Sequence, residues 1–321
     1  MTQIGFHCSH EQWPPSGLLR FLQRAEQAGF EAGMCSDHFH PWSKQQGHSG
    51  FTWSWLGAAM QATSLSLGTV CAPGQRYHPA IIAQAAATLA EMYPDRFWLA
   101  VGSGEALNEA ITGQAWPDKD TRNARLKECV HVMRALWAGE TVNYHGHVQV
   151  KEAKLYTIAQ HPPKIIGAAI SAETAEWMGS WTDGLVTVGC EASELRKIID
   201  AYRENGGAGK PVYLQVALSF AATEEQAVHE AHQQWRQCAL ESSQLADLAT
   251  PEAFDAATRS ISPQEVQKLL RVSSDVQYHL DWLHELMALG FDAIYLHQVA
   301  RDMDRFIETF GTKIIPELRR S

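Results

Sequence analysis

Short apolar segments alternate with amphipathic helical patterns along almost the whole chain, and this alternation limits the possible folds more than any other feature. Eight of these segments are apolar on both faces and lie next to Gly, Pro or Ser, as expected of parallel strands covered by helices. They are residues 4–8, 32–36, 65–71, 97–101, 165–169, 185–188, 212–218 and 293–297. Eight strands, each followed by a helix, predict a (β/α)8 TIM barrel in the α/β class.

A doubly wound parallel sheet would also alternate strands and helices, but it carries a glycine-rich phosphate loop after its first strand. Here the first predicted strand runs into His-Cys-Ser-His-Glu at residues 7–11, without glycine. The pair Gly102 and Gly104 lacks the third glycine of the dinucleotide-binding pattern. The sequence therefore favours the barrel.

Two intervals are too long for a single strand–helix unit. Residues 140–160 include the β-rich stretch VNYHGHVQV, which predicts a hairpin with its turn at His145 and Gly146. Residues 237–272 are polar and partly helical, and Pro251 and Pro263 are predicted helix starts. Since no linker or repeat separates these intervals from the rest, we interpret residues 1–321 as one barrel domain with two insertions.

The composition excludes several classes of function. The chain has 26 Lys and Arg residues against 36 Asp and Glu residues, a formal net charge of −10, and no basic cluster that would attract nucleic acid. It has no signal-peptide pattern, and no stretch approaches the roughly 18 apolar residues of a membrane helix. Its six cysteines form no C-x-x-C pair, which indicates reduced thiols and a cytoplasmic location.

Active sites of such barrels lie where the strands end at their carboxyl side, and the second strand ends in Asp37-His38-Phe39-His40. Two imidazoles at a strand end predict a metal site in one interpretation. In the other, each histidine is hydrogen-bonded inside a loop. The later strands offer no His, Asp or Lys at the corresponding ends, which weakens the metal interpretation.

Two further strand ends carry candidate chemistry. Glu105 follows Gly102 and Gly104, and it is either an acid/base partner for His38 or an inert carboxylate at a helix start. The third strand ends in apolar residues followed by Pro73 and Gly74. That pattern suits a flat wall for a flavin-like ring, although composition alone favours an ordinary tight turn.

Four motifs in a fixed order resemble a known family. They are SDHFHPW at 36–42, Gly-His at 47–48, RYHPA at 76–80 with IAQA at 82–85, and GSGEALNE at 102–109. Together they resemble the bacterial-luciferase-like superfamily, and within it the branch of F420-dependent glucose-6-phosphate dehydrogenases and related alcohol dehydrogenases. The resemblance implies a TIM barrel, usually a homodimer, that binds FMN or the deazaflavin coenzyme F420 at the mouth of the barrel and transfers a hydride to or from a small-molecule substrate.

The resemblance also assigns catalytic roles to individual residues of this sequence. It implies that His38 and Glu105 are the acid/base pair. Trp42 then lies over the reacting centre, and Glu11 helps to bind the substrate or to tune His38. A ring that accepts a hydride gains negative charge, and alcohol oxidation needs a base for the hydroxyl proton, so such groups suit the reaction.

A second set of residues is implied to bind the cofactor. These are Asp37, Gly104 and Asn108, together with Val70 and Cys71, which support the ring at the end of the third strand, often through a bulge or a non-proline cis peptide. Ser171 follows the fifth strand and is expected to cap the next helix and to bind a phosphate there.

The sequence departs from the sugar-phosphate enzymes where they hold the substrate phosphate. Their basic positions correspond here to Glu191, Ala256 and Leu269, and a carboxylate there would repel a phosphate. A shift in alignment would restore Arg259 or Arg271. We therefore expect an uncharged, unphosphorylated substrate, such as a small alcohol, a carbonyl compound or an activated alkene.

Two other departures concern the cofactor. The fifth strand ends in Ile170-Ser171-Ala172 instead of the Gly-Gly-Pro stretch of the deazaflavin enzymes, and the loop at residues 70–75 is one residue shorter. Both features resemble a sister group thought to use an ordinary flavin, so the sequence favours FMN over F420.

Three other functions remain open at this point. An FMN-dependent monooxygenase would consume molecular oxygen and reduced flavin. A metal-dependent barrel hydrolase would use His38 and His40 as ligands. A catalytically silent flavin-binding protein would not need Glu105 and His38.

Overall fold

Eleven strands and fourteen α-helices form the regular structure of the computed structural model, which describes residues 1–320. In chain order the strands are β1 (Gln3–Cys8), β2 (Ala32–Ser36), β3 (Ser66–Cys71), β4 (Phe97–Val101), β5 (Val142–His145), β6 (Gln149–Ala153), β7 (Lys164–Ala168), β8 (Gly184–Val188), β9 (Val212–Ser219), β10 (Arg271–Val272) and β11 (Ala293–Gln298). The helices are α1 (Pro15–Gln27), α2 (Thr52–Ala62), α3 (Pro79–Met92), α4 (Ala106–Glu109), α5 (Lys119–Trp137), α6 (Ala172–Gly179), α7 (Ala192–Tyr202), α8 (Glu224–Trp235), α9 (Ser242–Asp247), α10 (Pro251–Ala257), α11 (Pro263–Leu269), α12 (Val276–Met287), α13 (Met303–Thr309) and α14 (Ile315–Leu318).

Eight of the strands form a closed parallel barrel. Their order around the ring is β1-β2-β3-β4-β7-β8-β9-β11, and the pairing of β11 with β1 closes it. Each of the eight strands predicted from the sequence is present, with bounds that agree within one residue. The predicted (β/α)8 fold is therefore confirmed.

Both predicted insertions have the expected local structure. Strands β5 and β6 pair as an antiparallel hairpin, with Tyr144 opposite Val150. Pro251 and Pro263 begin α10 and α11. Strand β10 was not predicted. It is only two residues long, so no alternating pattern marks it, and it pairs in parallel with the end of β9 at Leu218 and Ser219.

The helices cover the barrel with their apolar sides. Helix α1 buries Leu18, Phe21, Leu22 and Ala25, and α3 buries a mainly alanine face that lets it pack closely. Gly290 follows α12 with a φ of 84°, a conformation that favours glycine. No helix within residues 1–320 is long and apolar enough to span a lipid bilayer.

The interior of the barrel is filled by side chains that alternate between large and small. The buried cluster inside the ring consists of Ala32, Met34, Trp98, Ala100, Ile166, Val186, Ala293 and Tyr295. Trp98 lies against Gly68 on the neighbouring strand, and Tyr295 lies against Gly5. The barrel is thus a packed core below the mouth, as in other folds of this type.

We expect Gly68→Ala to destabilise the protein strongly. A Cβ atom at this position would lie 2.0 Å from the indole ring of Trp98, closer than any real contact. Overpacking of a core costs about 1–3 kcal/mol or more, which urea denaturation would measure. Gly57→Ala on α2 is the control, since a Cβ there meets no atom of residues 1–320 within 4 Å. Equal stability of the two variants would contradict this account of the core, and Trp98→Leu should partly rescue Gly68→Ala.

Candidate active site

Three side chains meet at the mouth of the barrel, meaning the carboxyl ends of the eight barrel strands and the loops that follow them. The loop after β1 supplies Glu11, the loop after β2 supplies His38, and the loop after β4 supplies Glu105. His38 Nδ1 lies 3.5 Å from Glu11 Oε1, and His38 Nε2 lies 3.9 Å from Glu105 Oε2. The imidazole therefore has one carboxylate next to each of its nitrogens.

Glu11 is held as an anion. Burial alone would raise the pKa of its carboxyl, but the nearby His38 and hydrogen bonds from Ser9 and Ser36, each 2.7 Å long, outweigh this and lower the pKa. The His40 carbonyl oxygen also lies 3.3 Å from His38 Nδ1. Since Nδ1 faces acceptors only, it carries the proton, and Nε2 is the nitrogen directed at Glu105.

Glu105 has the opposite electrostatic environment. Burial raises the pKa of its carboxyl, and the neighbouring His38 only partly opposes this rise. About a third of the side chain remains exposed at the mouth, whereas Glu11 is almost completely buried. Two carboxyl groups on one imidazole thus have pKa values moved in opposite directions, which is the usual way that one site holds both a base and an acid near neutral pH.

Trp42 lies beside this pair. Its indole ring is 4.9 Å from the His38 ring, measured between centroids, and the two planes are inclined by 55°. Its backbone N–H donates to Gln46 Oε1 at 2.9 Å. The structure therefore brings together Glu11, His38, Trp42 and Glu105, the four residues for which the family resemblance implied catalytic roles, and those roles stay predictions.

A buried ionic cluster lies next to the pair, and sequence reasoning missed it. The Arg76 guanidinium lies 3.3 Å from Asp37 Oδ2 and 3.4 Å from Glu109 Oε1. The backbone N–H of Arg76 also donates to Glu109 at 2.6 Å, and Tyr77 donates its hydroxyl to Asp37 at 3.0 Å. Arg76 and Glu109 were part of the family motifs without a role. Their separation of 33 residues gives no local signal that they pair.

The cluster connects the loops after β2, β3 and β4. Burial raises the pKa of Asp37 and of Glu109, and Arg76 opposes the rise at both carboxyls. Two buried carboxylates beside one buried cation make Arg76 essential for charge balance. The cluster thus fixes Asp37, a predicted cofactor ligand, relative to the loop that carries Glu105.

Asn108 and Gly104 shape the loop after β4. Asn108 Oδ1 accepts a hydrogen bond from the backbone N–H of Phe39 at 2.9 Å, so this side chain connects the loops after β4 and β2. Gly104 has a φ of 85°, and a methyl group there would lie 3.0 Å from Ala72 and 3.2 Å from Glu109. Only glycine therefore fits at this position. Cofactor contact by either residue stays a prediction.

The remaining predicted cofactor residues lie around the same opening. Val70 faces the barrel interior near the end of β3, and Cys71 is buried on the opposite side of that strand. The peptide bonds of residues 1–320 are all trans, so the expected cis peptide is absent there. Ser171 caps α6, as predicted, by accepting a hydrogen bond from Thr174 N–H at 3.3 Å. Its contact with a phosphate stays a prediction.

Apolar side chains are exposed at the ends of several barrel strands. Three apolar side chains that follow or end barrel strands are exposed there: Phe39 is 48% exposed, Ile170 55% and Val188 44%. Exposed apolar side chains at the carboxyl ends of barrel strands are typical of a ligand site. Asp37 Oδ2 is buried against the Arg76 guanidinium, 3.3 Å away, so contact of this carboxylate with a cofactor stays a prediction.

Comparison with known proteins decides the family. The sequence profile described as luciferase-like monooxygenase matches residues 1–293. The chain belongs to the luciferase-like family. This confirms the resemblance drawn from the four motifs, and with it the prediction of an oxidoreductase-type enzyme.

Three similar proteins place the chain within this family. It is 33% identical to the F420-dependent glucose-6-phosphate dehydrogenase of Mycobacterium tuberculosis, over 99% of this chain and 98% of that one. The enzyme of the same name from Nakamurella multipartita is 34% identical, over 99% and 96% of the chains. A solved structure, an F420-dependent secondary alcohol dehydrogenase in complex with an F420-acetone adduct, is 29% identical, covers 99% of both chains and superposes with a TM-score of 0.91.

A metal centre is not formed by this luciferase-like chain within residues 1–320, where no three His, Cys, Asp or Glu side chains group to hold an ion. His40 Nδ1 lies 2.8 Å from the carbonyl oxygen of Leu107, so the His40 ring connects the loop after β2 with the segment after β4 by a hydrogen bond. Within residues 1–320 no set of metal ligands is therefore present for the alternative function of a metal-dependent hydrolase.

Arg271, which the sequence offered as an alternative basic residue for a substrate phosphate, is engaged by a neighbouring aromatic residue. Its guanidinium lies 3.3 Å from the centroid of the Tyr278 ring and donates to the Tyr278 carbonyl oxygen. Glu191 is exposed just before α7, where a carboxylate opposes phosphate binding. A substrate without a phosphate stays a prediction.

Proposed function

We propose that this protein is an oxidoreductase that moves a hydride between a flavin-type ring and a small uncharged alcohol, carbonyl compound or activated alkene. The observation that carries the proposal is the position of His38 between Glu11 and Glu105 at the mouth of a luciferase-like barrel. A carboxylate on each side of an imidazole suits a reaction that moves one proton together with a hydride.

The ring would supply the chemistry of hydride acceptance and donation. The chain itself manages the proton. In alcohol oxidation, the substrate hydroxyl gives its proton to Nε2 of His38, and the anionic Glu11 stabilises the imidazolium that results. Glu105, whose carboxyl has a raised pKa, then exchanges that proton with solvent through its exposed side. In the reverse direction the same groups return the proton to the carbonyl oxygen.

The proposed substrate class rests on what lines the mouth. Trp42, Phe39, Ile170 and Val188 present apolar surface there. Arg271 is engaged by Tyr278, and Glu191 has the wrong charge for a phosphate. The similar alcohol dehydrogenase structure contains an F420-acetone adduct, and acetone is a small uncharged carbonyl compound. A secondary alcohol or its ketone is therefore the first substrate to test.

For the cofactor we propose FMN, with F420 as the second candidate. The changes at Ile170-Ser171-Ala172 and in the shortened loop at residues 70–75 support FMN, because both alter the surroundings of the ring and its phosphate. The names of the similar dehydrogenases support F420. Asp37, Gly104 and Asn108 would hold either ring, since both share the flat tricyclic shape.

Titration with each cofactor tests the proposal. We expect FMN to quench the tryptophan fluorescence of the apo-protein and to bind more tightly than F420. Riboflavin serves as the control for the phosphate, because Ser171 and α6 should favour FMN over riboflavin. Tighter binding of F420 would reverse the cofactor assignment, and binding of neither would refute the proposed function.

Oxygen consumption separates this function from monooxygenation, which the name of the family also suggests. We expect substrate-dependent turnover under strict anaerobiosis. Oxygen uptake that requires the substrate, with no anaerobic turnover, would assign the chain to the monooxygenases instead.

A further inference from the structure

The second insertion, residues 237–272, contacts both loops that carry the candidate active site. On one side, α10 places Phe254 against Trp42. On the other, Asp247 of α9 accepts a hydrogen bond from the indole N–H of Trp116 at 3.1 Å. Trp116 in turn lies next to Gly104, where an added methyl group would be 3.4 Å from its ring. The insertion therefore bridges the two sides of the mouth.

Trp42 lies between the insertion and the acid/base pair. The Phe254 ring is 5.2 Å from the Trp42 ring at an interplanar angle of 80°, an edge-to-face contact. The His38 ring is 4.9 Å from Trp42. Because the backbone N–H of Trp42 is also bound to Gln46, the remaining freedom of the indole is rotation of its side chain. Phe254 limits that rotation.

Phe254 itself is anchored firmly. It is 1% exposed. Thr250 caps the start of α10, since its side chain accepts a hydrogen bond from the backbone N–H of Ala253. Asp255 accepts a hydrogen bond from the backbone N–H of Lys44, so α10 is attached directly to the loop that carries Trp42. Exposed ion pairs such as Lys44–Glu252 contribute little. The aromatic contact is therefore the part of this attachment that can fix the indole.

We propose that Phe254 is a specificity-determining positioning residue, which holds the Trp42 indole and thereby sets the width of the substrate space beside His38. The inference rests on the proposed function, since it assumes that the substrate lies against Trp42. The inference goes beyond that function because it assigns the limit on substrate size to Phe254, an insertion residue that lies 212 positions from Trp42 in the sequence.

The test compares Phe254→Leu, which removes the ring, with Phe254→Tyr, which keeps it. The measured quantity is the ratio of kcat/KM for a bulky secondary alcohol to kcat/KM for 2-propanol. One methylene in an apolar pocket changes such ratios by about 10–200-fold. We expect Phe254→Leu to shift the ratio toward the bulky alcohol by at least about tenfold, and Phe254→Tyr to retain the wild-type ratio.

Two further measurements separate positioning from general loss of structure. Acrylamide quenching of tryptophan fluorescence is measured with and without the added substitution Trp42→Phe, and the difference reports the accessibility of Trp42 alone. We expect this accessibility to increase in Phe254→Leu. Phe291→Leu is the matched control, because Phe291 is 2% exposed but precedes β11 at the opposite end of the barrel. It should lower stability without changing the alcohol ratio, and the affinity for the cofactor should be unchanged in all three variants.

The outcomes distinguish this inference from the proposed function. An active wild-type enzyme with the same alcohol ratio in Phe254→Leu would overturn the role of Phe254 and leave the proposed function intact. A shift of equal size in Phe291→Leu would overturn it as well, because the effect would then be general. A wild-type protein that oxidises no alcohol with either cofactor would refute the proposed function, and the inference would fall with it.

Discussion

Replacement of His38 by Ala, or of Glu105 by Gln, is expected to lower kcat by at least about 10²-fold, the usual size of an acid/base contribution. Both side chains lie at the mouth of the barrel, where His38 Nε2 is 3.9 Å from Glu105 Oε2. Neither variant loses a residue proposed to hold the ring, so the Kd for the cofactor should stay close to the wild-type value. Stopped-flow measurement of a single turnover would isolate the step concerned.

The pH profile adds a second readout for this pair. Since the pKa of Glu105 is raised, a plot of wild-type kcat/KM against pH should change slope at a pH above the ordinary pKa range of carboxyl groups. This change of slope should disappear in Glu105→Gln. Glu91→Gln, at an exposed position on α3, is the control and should leave the profile unchanged. Turnover near the wild-type rate in both His38→Ala and Glu105→Gln would remove these residues from the mechanism.

Arg76→Met is expected to be the most destabilising change at the mouth. It would leave Asp37 and Glu109 buried without their shared cation. Breaking a buried pair by removing one partner costs about 3–5 kcal/mol, which urea denaturation at neutral pH would measure. Arg134→Met, which breaks the half-exposed pair with Asp183, should cost only about 0–1 kcal/mol.

The destabilisation by Arg76→Met should depend on pH with a definite sign. Burial raises the pKa of both carboxyls, and the variant lacks the cation that opposes this. At pH values between the pKa of these carboxyls in the unfolded state and their higher pKa in the folded state, the native state binds more protons than the unfolded state. The free energy of unfolding therefore falls as the pH rises. The loss should be largest near about pH 7 and shrink toward about pH 4. A loss that is independent of pH, or no larger than that of Arg134→Met, would contradict the charge-balance account.

The barrel strands were predictable because of where they lie. A parallel strand covered on both faces must be apolar throughout, and this pattern fixed all eight strands within one residue. Strand β10 was missed for the opposite reason, since two residues cannot show a period and it depends on its partner β9. The helix starts at Pro251 and Pro263 were found because proline favours the first turn.

The site was only partly predictable. The position of His38 and Glu105 after barrel strands already placed them at one mouth, because parallel strands end at the same face. The cluster around Arg76 was not predictable, because its members come from three loops and their charges alone are also typical of exposed residues. The contact between Phe254 and Trp42 has no sequence signal, since it joins an insertion to a loop across the barrel.

By itself, the sequence determined the strand order of the barrel, its family and the residue types available at its mouth, because apolar periodicity and ordered motifs are local properties. Tertiary structure alone decided which of those residues touch. It placed Glu11 and Glu105 on opposite nitrogens of one imidazole, and it buried Arg76 between two carboxylates. Proton affinity depends on distance and burial, and both arise only when loops from different strands converge.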